Sequence, residues 1–163
     1  ESAKRLRGAG FNVMGWSRSL KDLEGVTTRS GEDGLNELLE KSDIVVCLVP
    51  LTSETRGLIN ADRLQRMKAG ASIINFARGA VLVADDLLAS LESGHLAHAV
   101  LDVFEKEPLD EGSPFWSHPS VTVLPHISAP TDRSSSAAIV AQNIRNWRRT
   151  GELPTTVDMQ KGY

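Results

Sequence analysis

Short apolar runs alternate along this chain with segments in which leucines recur at helical spacing. The run over residues 43–49 is almost unbroken, which is typical of a strand buried on both faces of a sheet. Shorter apolar runs predict further strands at residues 11–16, 71–76, 97–104 and 121–124. Strands that alternate with helices in this way predict an α/β fold with a doubly wound parallel sheet.

Capping residues mark the helices between these strands. Leucine spacing predicts a helix over residues 33–41. Asn60 can cap the next helix, and Asp85 lies in the first turn of a helix that Gly94 ends. Residues 1–10 are predicted to be the second half of a helix, so the chain is expected to begin inside an element.

A longer helix is predicted near the end of the chain. Thr131 or Asp132 can cap it, and it reaches about residue 149 before a polar tail. Val140, Ile144 and Trp147 share one of its faces. We expect this face to be partly exposed or covered by a neighbouring chain.

Composition and charge exclude several classes of partner. The chain has 163 residues and a net charge of −3, which gives no strong field for binding nucleic acid or a membrane surface. No apolar run approaches the roughly 20 residues of a membrane span. The single cysteine, Cys47, lies inside a predicted strand as a small buried residue and is typical of a reducing cytoplasm. We therefore expect a cytoplasmic protein with no nucleic-acid, membrane or metal partner.

Three side chains that can handle a small acid follow predicted strands. Arg78 can bind a carboxylate through its forked guanidinium, His126 can carry a proton near neutral pH, and Glu107 can orient that histidine. Each alone has a simpler interpretation: a surface arginine in a tight turn, a solvated glutamate and a structural histidine. Open α/β sheets bind their ligands at the carboxyl ends of the strands, so the combination predicts a site for a 2-oxo or 2-hydroxy acid.

The motifs around these residues resemble those of a known family. They are Asn-Phe-Ala-Arg-Gly at 75–79, Leu-Asp-Val-Phe-Glu-Lys-Glu-Pro at 101–108, Pro-His at 125–126 and Pro-Leu-Thr-Ser-Glu-Thr-Arg-Gly-Leu-Ile at 50–59. In this order and spacing they resemble the D-isomer-specific 2-hydroxyacid dehydrogenases. Within that family, Trp-Ser-Arg at 16–18 and the ending at 157–163 are most similar to the reductases of glyoxylate and hydroxypyruvate.

The resemblance implies a role for each of these residues and a homodimer. Arg78 binds the carboxylate and carbonyl of a small 2-oxo acid, His126 is the general acid in reduction, and Glu107 is its partner. A nicotinamide cofactor supplies the hydride. The implied cofactor contacts are Pro50, Ala77, Arg78, Asp102, His126 and Ser128. Asp102, which the resemblance places at the nicotinamide carboxamide, can equally be a carboxylate that caps a loop.

The segment after the first predicted strand indicates which nicotinamide cofactor is used. In NAD-binding sheets, an acidic residue at the end of the second strand bonds the adenine ribose. This chain has Ser17, Arg18 and Ser19 at that position. An arginine and two hydroxyls can bind a 2′-phosphate, which a carboxylate would repel. We therefore expect NADPH in preference to NADH, although NADH is not excluded; a solvated basic loop is the alternative.

Two parts of the family pattern have no counterpart in this sequence. The glycine-rich G-x-G-x-x-G loop and the strand before it would precede residue 1, so the Rossmann-like sheet is expected to be incomplete. Residues 1–130 then form a partial dinucleotide-binding domain with the catalytic residues, and residues 131–163 a helix and tail that return toward a missing substrate domain. We expect this chain alone to be inactive as a reductase. A non-catalytic module for dinucleotide sensing or protein binding is the alternative function.

Overall fold

Parallel strands form two separate sheets in the computed structural model, which describes residues 1–129, 131–154 and 156–158. The smaller sheet pairs β1 (Met14–Trp16) with β2 (Thr27–Arg29). The larger sheet has the strand order β3 (Ile44–Cys47), β4 (Ser72–Asn75), β5 (His98–Leu101) and β6 (Val121–Val123). The predicted parallel α/β fold is confirmed. Strand β2 was not predicted from the sequence, because Thr-Thr-Arg has no apolar pattern that indicates a strand.

Helices precede, connect or follow these strands along the chain: α1 (Ser2–Gly8), α2 (Gly31–Lys41), α3 (Ala61–Arg66), α4 (Ala84–Glu92) and α5 (Arg133–Thr150). Two predicted caps are confirmed. The Asn60 side chain accepts a hydrogen bond from the backbone N–H of Arg63 at 3.1 Å, and Asp132 accepts one from that of Ser135 at 2.7 Å. Gly94 follows α4 in the left-handed conformation, as expected for a glycine that ends a helix.

The hydrophobic core lies on one face of the larger sheet. Ile73 in β4 and Ala99 in β5 are fully buried in one cluster with Leu39 of α2 and Leu87 of α4. Burial alternates along these strands because successive side chains point to opposite faces. The helices on this face therefore anchor the strands whose carboxyl ends carry the candidate site.

The prediction that residues 43–49 are buried on both faces is wrong for the described residues. Val45 and Cys47 are buried, but Ile44 and Leu48 are 51% and 53% exposed. Helices α2, α3 and α4 pack on the face that contains Val45, so they leave the apolar side chains of the other face uncovered. The expectation for Cys47 is confirmed, and burial raises the pKa of its thiol to about 12.

Helix α5 stands apart from this core. None of its residues is buried, and the side chains of its apolar face are between 47% (Ile144) and 61% (Ile139) exposed. The partly exposed apolar face is therefore present as expected. Within the part of the chain that the structure describes, no helix is long and apolar enough to cross a membrane. Pro130 and residues 159–163, which include most of the ending similar to the family, lie outside that part.

Candidate active site

The structure places Arg78, Glu107 and His126 along one edge of the larger sheet. Arg78 follows the carboxyl end of β4, Glu107 follows that of β5, and His126 follows that of β6. Because β4, β5 and β6 are parallel neighbours, these ends share one edge. Side chains predicted from three separate motifs thus lie in one region.

Glu107 and His126 form a direct hydrogen-bonded pair. His126 Nδ1 lies 2.7 Å from Glu107 Oε2, and Nδ1 is the donor because an ionised carboxylate only accepts. The other oxygen, Oε1, accepts the Phe104 backbone N–H at 2.9 Å. These bonds, the one from Phe104 first, hold the pKa of Glu107 below its usual range. A charged carboxylate thus fixes the imidazole and leaves Nε2 to exchange a proton with a ligand.

A buried asparagine shapes the turn that carries Arg78. Asn75 is 1% exposed; its Oδ1 accepts the Ala77 N–H and its Nδ2 donates to the Arg78 carbonyl, both at 3.1 Å. Arg78 itself is exposed, and its positive charge contributes to the lowered pKa of Glu107. The guanidinium therefore lies within electrostatic reach of the Glu107–His126 pair. Asn75 belongs to the recognised motif, but the sequence alone assigns it no role.

Gly79 allows two segments of the site to touch. A Cβ at this position would lie 1.9 Å from the Phe104 carbonyl carbon and 2.2 Å from the Glu105 nitrogen. No side chain fits at these distances, so only glycine permits the approach. The turn that carries Arg78 and the segment that leads to Glu107 consequently pack main chain against main chain. The sequence signals only a sharp turn at Gly79, because the segment it contacts is distant along the chain.

A cavity of about 330 Å³ adjoins Arg78. Its lining brings together three predicted cofactor contacts, Pro50, Ala77 and Arg78, with the apolar side chains of Val49, Leu51 and Phe76. Apolar walls with one positioned charge are typical of sites for small organic ligands. The cavity has room for a small organic group beside the guanidinium.

Two further predicted cofactor contacts, Asp102 and Ser128, are bonded to each other. The Asp102 carboxylate is 2% exposed. It accepts the backbone N–H groups of Ile127 at 2.8 Å and Ser128 at 2.9 Å, and also the Ser128 hydroxyl. Burial opposes ionisation of Asp102, but these hydrogen bonds outweigh it and hold the pKa below its usual range. Asp102 thus caps the loop, and its contact with a cofactor stays a prediction.

The predicted phosphate-binding residues lie beside the smaller sheet. Ser17, Arg18 and Ser19 follow β1 as a loop, in which the Ser17 hydroxyl donates to the Ser19 carbonyl at 2.6 Å. Arg18 Nη1 lies 3.7 Å from Glu54 Oε2, and both side chains are about half exposed or more. A guanidinium and two hydroxyls are therefore grouped on a solvent-accessible loop, apart from the catalytic candidates on the larger sheet.

Comparison with known proteins places the chain among oxidoreductases. Residues 1–128 match the family described as D-isomer specific 2-hydroxyacid dehydrogenase, NAD binding domain. A glyoxylate/hydroxypyruvate reductase A from Serratia proteamaculans is 43% identical over 162 residues, which is 99% of this chain and 51% of the relative. A protein of the same name from Photorhabdus laumondii is 42% identical over 155 residues, 94% of this chain and 49% of the relative. The chain spans about half the length of the curated relatives it matches.

Solved structures show the same similarity. A D-isomer specific 2-hydroxyacid dehydrogenase from Xanthobacter autotrophicus Py2, in complex with NADPH and MES, has a TM-score of 0.94 and 45% identity, covering 99% of this chain and 67% of that one. An NADPH-dependent glyoxylate/hydroxypyruvate reductase from Sinorhizobium meliloti, in complex with NADP and sulfate, has a TM-score of 0.93 and 39% identity, covering 99% and 52%. The Rossmann-like fold and the predicted family resemblance are confirmed.

Proposed function

The chain belongs to the D-isomer-specific 2-hydroxyacid dehydrogenase family, and on this premise we propose that it provides the catalytic site of an NADPH-dependent reductase of small 2-oxo acids. The observation that carries the proposal is the 2.7 Å bond between His126 and Glu107 in the same region as Arg78. A 2-oxo acid offers a partner to each cationic group, with a carboxylate for Arg78 and a carbonyl oxygen for His126.

His126 is the proton donor in the proposed reaction. Protonated Nε2 gives its proton to the carbonyl oxygen of the substrate as that oxygen gains negative charge. Glu107 keeps Nδ1 engaged at 2.7 Å, which fixes the ring and makes Nε2 the reactive nitrogen. A nicotinamide cofactor, when bound, supplies the hydride.

Arg78 orients the substrate in this proposal. One of its N–H groups donates to the Ala77 carbonyl at 2.7 Å, which anchors the side chain. A guanidinium carries five N–H donors, so enough remain to bind a carboxylate in a forked, bidentate arrangement. Val49 and Leu51 line the adjoining cavity and would lie beside this contact. The carbonyl of a bound 2-oxo acid is then presented to His126.

The residues present fit NADPH. The Arg18 guanidinium and the Ser19 hydroxyl would hold the 2′-phosphate, with Arg18 turning from Glu54 and the Ser17 hydroxyl from the Ser19 carbonyl to join them. Asp102 is proposed for the nicotinamide carboxamide. The other proposed cofactor contacts are Pro50, Ala77, Arg78, His126 and Ser128. Two similar solved structures are complexes with NADPH or NADP, which supports this choice over NADH.

Glyoxylate and hydroxypyruvate are the proposed substrates. Support comes from the names of relatives that are 42% and 43% identical to nearly the whole of this chain. Both compounds are small 2-oxo acids with the carboxylate and carbonyl that Arg78 and His126 require. The homodimer, the cytoplasmic location and the division at residue 130 stay predictions.

Steady-state kinetics on the complete protein test the proposal. We expect NADPH oxidation with glyoxylate and hydroxypyruvate. His126→Gln should lower kcat by about 10²- to 10⁴-fold, which is the range for loss of a general acid. His98→Gln is the matched control, because His98 lies at the amino end of β5, opposite the end that carries the candidate site, and is hydrogen-bonded to Thr122. A protein that binds NADPH but reduces neither acid would instead be a dinucleotide-sensing module.

A further inference from the structure

We infer that Asp102 is a positioning residue that holds the main chain of His126 in place. Its carboxylate, directly after β5, accepts the backbone N–H groups of the two residues that follow His126, Ile127 at 2.8 Å and Ser128 at 2.9 Å. The Ser128 hydroxyl donates to the same carboxylate. The inference rests on the proposed function of His126 and extends it from the ring of that histidine to its backbone.

The conformation of His126 explains why its backbone needs support. With a φ of 56°, His126 is the one residue other than glycine in the described ranges that lies in the left-handed region. This conformation is uncommon for a residue with a side chain and persists when the surrounding structure enforces it. Consecutive N–H groups next to a left-handed residue converge to form an anion-binding concavity. Asp102 supplies the anion.

Packing does not provide this support. Residues 125–129 are all exposed, and Ile127 is 61% exposed. Among the residues that the structure describes, the carboxylates of Asp102 and Glu107 accept the hydrogen bonds that this segment donates. Asp102 itself is 2% exposed and is therefore a fixed point next to the core. Two carboxylates that follow β5 thus hold His126, one through the N–H groups of the two residues after it and the other through its ring.

Asp102 can hold this segment and also contact a bound cofactor. A carboxylate offers about four acceptor positions, and the donors of Ile127 and Ser128 use three of them. The two roles differ in what a substitution changes. Loss of a cofactor contact raises the KM for NADPH, whereas loss of the support displaces His126 and lowers kcat.

Asp102→Asn separates these roles, because an amide has a single acceptor oxygen and turns an NH2 group toward an N–H donor. In the complete protein, kcat for glyoxylate should fall about 10²-fold, the effect of misplacing a catalytic group by about 1 Å. The KM for glyoxylate should stay within about twofold of the wild type, and any rise in the KM for NADPH from the proposed cofactor contact should accompany the fall in kcat rather than replace it. Asp43→Asn is the matched control, since Asp43 is an exposed aspartate next to β3 that pairs with Lys68.

Amide hydrogen exchange, followed by NMR, tests the support without any turnover. Asp102→Asn should speed exchange of the Ile127 and Ser128 amides about tenfold, as expected for a lost hydrogen bond to a charged group. Glu107→Gln should leave both amides at the wild-type rate, because Glu107 holds only the ring. If Asp102→Asn does not fold, Ser128→Ala decides the question, with an expected increase of about threefold.

Two results would overturn the inference. One is exchange of the Ile127 and Ser128 amides at the wild-type rate in Asp102→Asn or, if that variant does not fold, in Ser128→Ala. The other is a raised KM for NADPH with an unchanged kcat in Asp102→Asn. Faster exchange in a protein that reduces no 2-oxo acid would have a different meaning. Asp102 would then still hold the segment of His126, and only the proposed function would fail.

Discussion

The two parallel sheets of this chain differ in what holds them. The larger sheet is built on buried side chains such as Ile73, which is 0% exposed. The smaller sheet, β1 with β2, contains no buried residue. It is joined to α2 by polar contacts, with Arg29 Nε 2.5 Å from Glu37 Oε2 and Trp16 Nε1 2.8 Å from the Gly31 carbonyl. Buried packing dominates in the larger sheet, whereas the smaller sheet combines these polar contacts with partial packing of Trp16 against the core.

The chemistry proposed for each sheet matches this difference. Proton transfer by His126 needs a geometry accurate to about 0.5 Å, and its supports, Asp102 and Glu107, follow a strand of the packed sheet. Binding of a phosphate by Arg18 depends mainly on charge and therefore tolerates an exposed loop. The two carboxylates that hold His126 follow β5, a strand with buried residues, whereas β1, the strand before Arg18, has none.

The largest expected effect tests the packing of the larger sheet. Ile73→Ala removes a fully buried side chain and should lower the free energy of unfolding by about 2–5 kcal/mol. Met14→Ala in β1, where the side chain is only partly buried, should cost about 1 kcal/mol or less. Urea denaturation followed by circular dichroism measures both. Equal losses would remove the distinction between the two sheets.

Gly79→Ala should displace the residues of the candidate active site. The added Cβ would meet the Phe104 carbonyl carbon at 1.9 Å, so the segment that leads to Glu107 must move. We expect kcat for glyoxylate to fall about 10²-fold. Gly112→Ala is the control, because its Cβ would meet only Asp110 Oδ1, at 3.9 Å. Wild-type kcat in a folded Gly79→Ala protein would show that the close approach is not needed.

Arg18→Ala tests the role proposed for the exposed loop that follows β1 of the smaller sheet. Loss of a charged hydrogen-bond donor to the proposed 2′-phosphate should raise the KM for NADPH about tenfold. The KM for NADH, which has no such phosphate, should change less than about twofold. Arg66→Ala is a control, since Arg66 lies on α3 and pairs with Glu40. Equal changes for both cofactors would contradict the assignment of Arg18.

The smallest effect concerns the polar contact that joins β2 to α2. Hydrogen bonds from Arg29 and then Lys41 lower the pKa of Glu37 from 4.5 to about 2. A lowered pKa in the folded state means that the stabilising contribution is present above pH 4.5 and is lost as the pH falls through about 2. Between these values, the wild type should lose more stability than Glu37→Gln. Melting temperatures across this range test it, and parallel curves would exclude a role for the pair.

The positions of most strands and of the catalytic candidates were predictable from local patterns. Apolar runs bounded by turn-forming residues locate β3, β4, β5 and β6, and Arg78, Glu107 and His126 follow three of them. Parallel strands align their carboxyl ends, so the sequence places these side chains at one edge without knowledge of any contact. Asn60 and Asp132 are likewise predictable as caps, because capping depends on residues only three positions away.

Features that depend on distant segments were not predictable in the same way. Strand β2 forms by pairing with β1 rather than through an apolar pattern of its own. The exposure of Ile44 depends on which face of the sheet the helices cover. The contacts of Gly79 with Phe104 and of Asp102 with Ile127 join segments far apart in the chain. Local composition contains no signal for such contacts.

The left-handed backbone of His126 also has an evolutionary consequence. Asparagine adopts this conformation readily, and its codons differ from those of histidine at a single base. His126→Asn should therefore keep the backbone that Asp102 holds but lower kcat by about 10²- to 10⁴-fold, as expected for loss of a general acid. A mutation of one nucleotide would then remove the proposed proton donor and leave its left-handed backbone in place, which is a short route from a catalyst to a sensor.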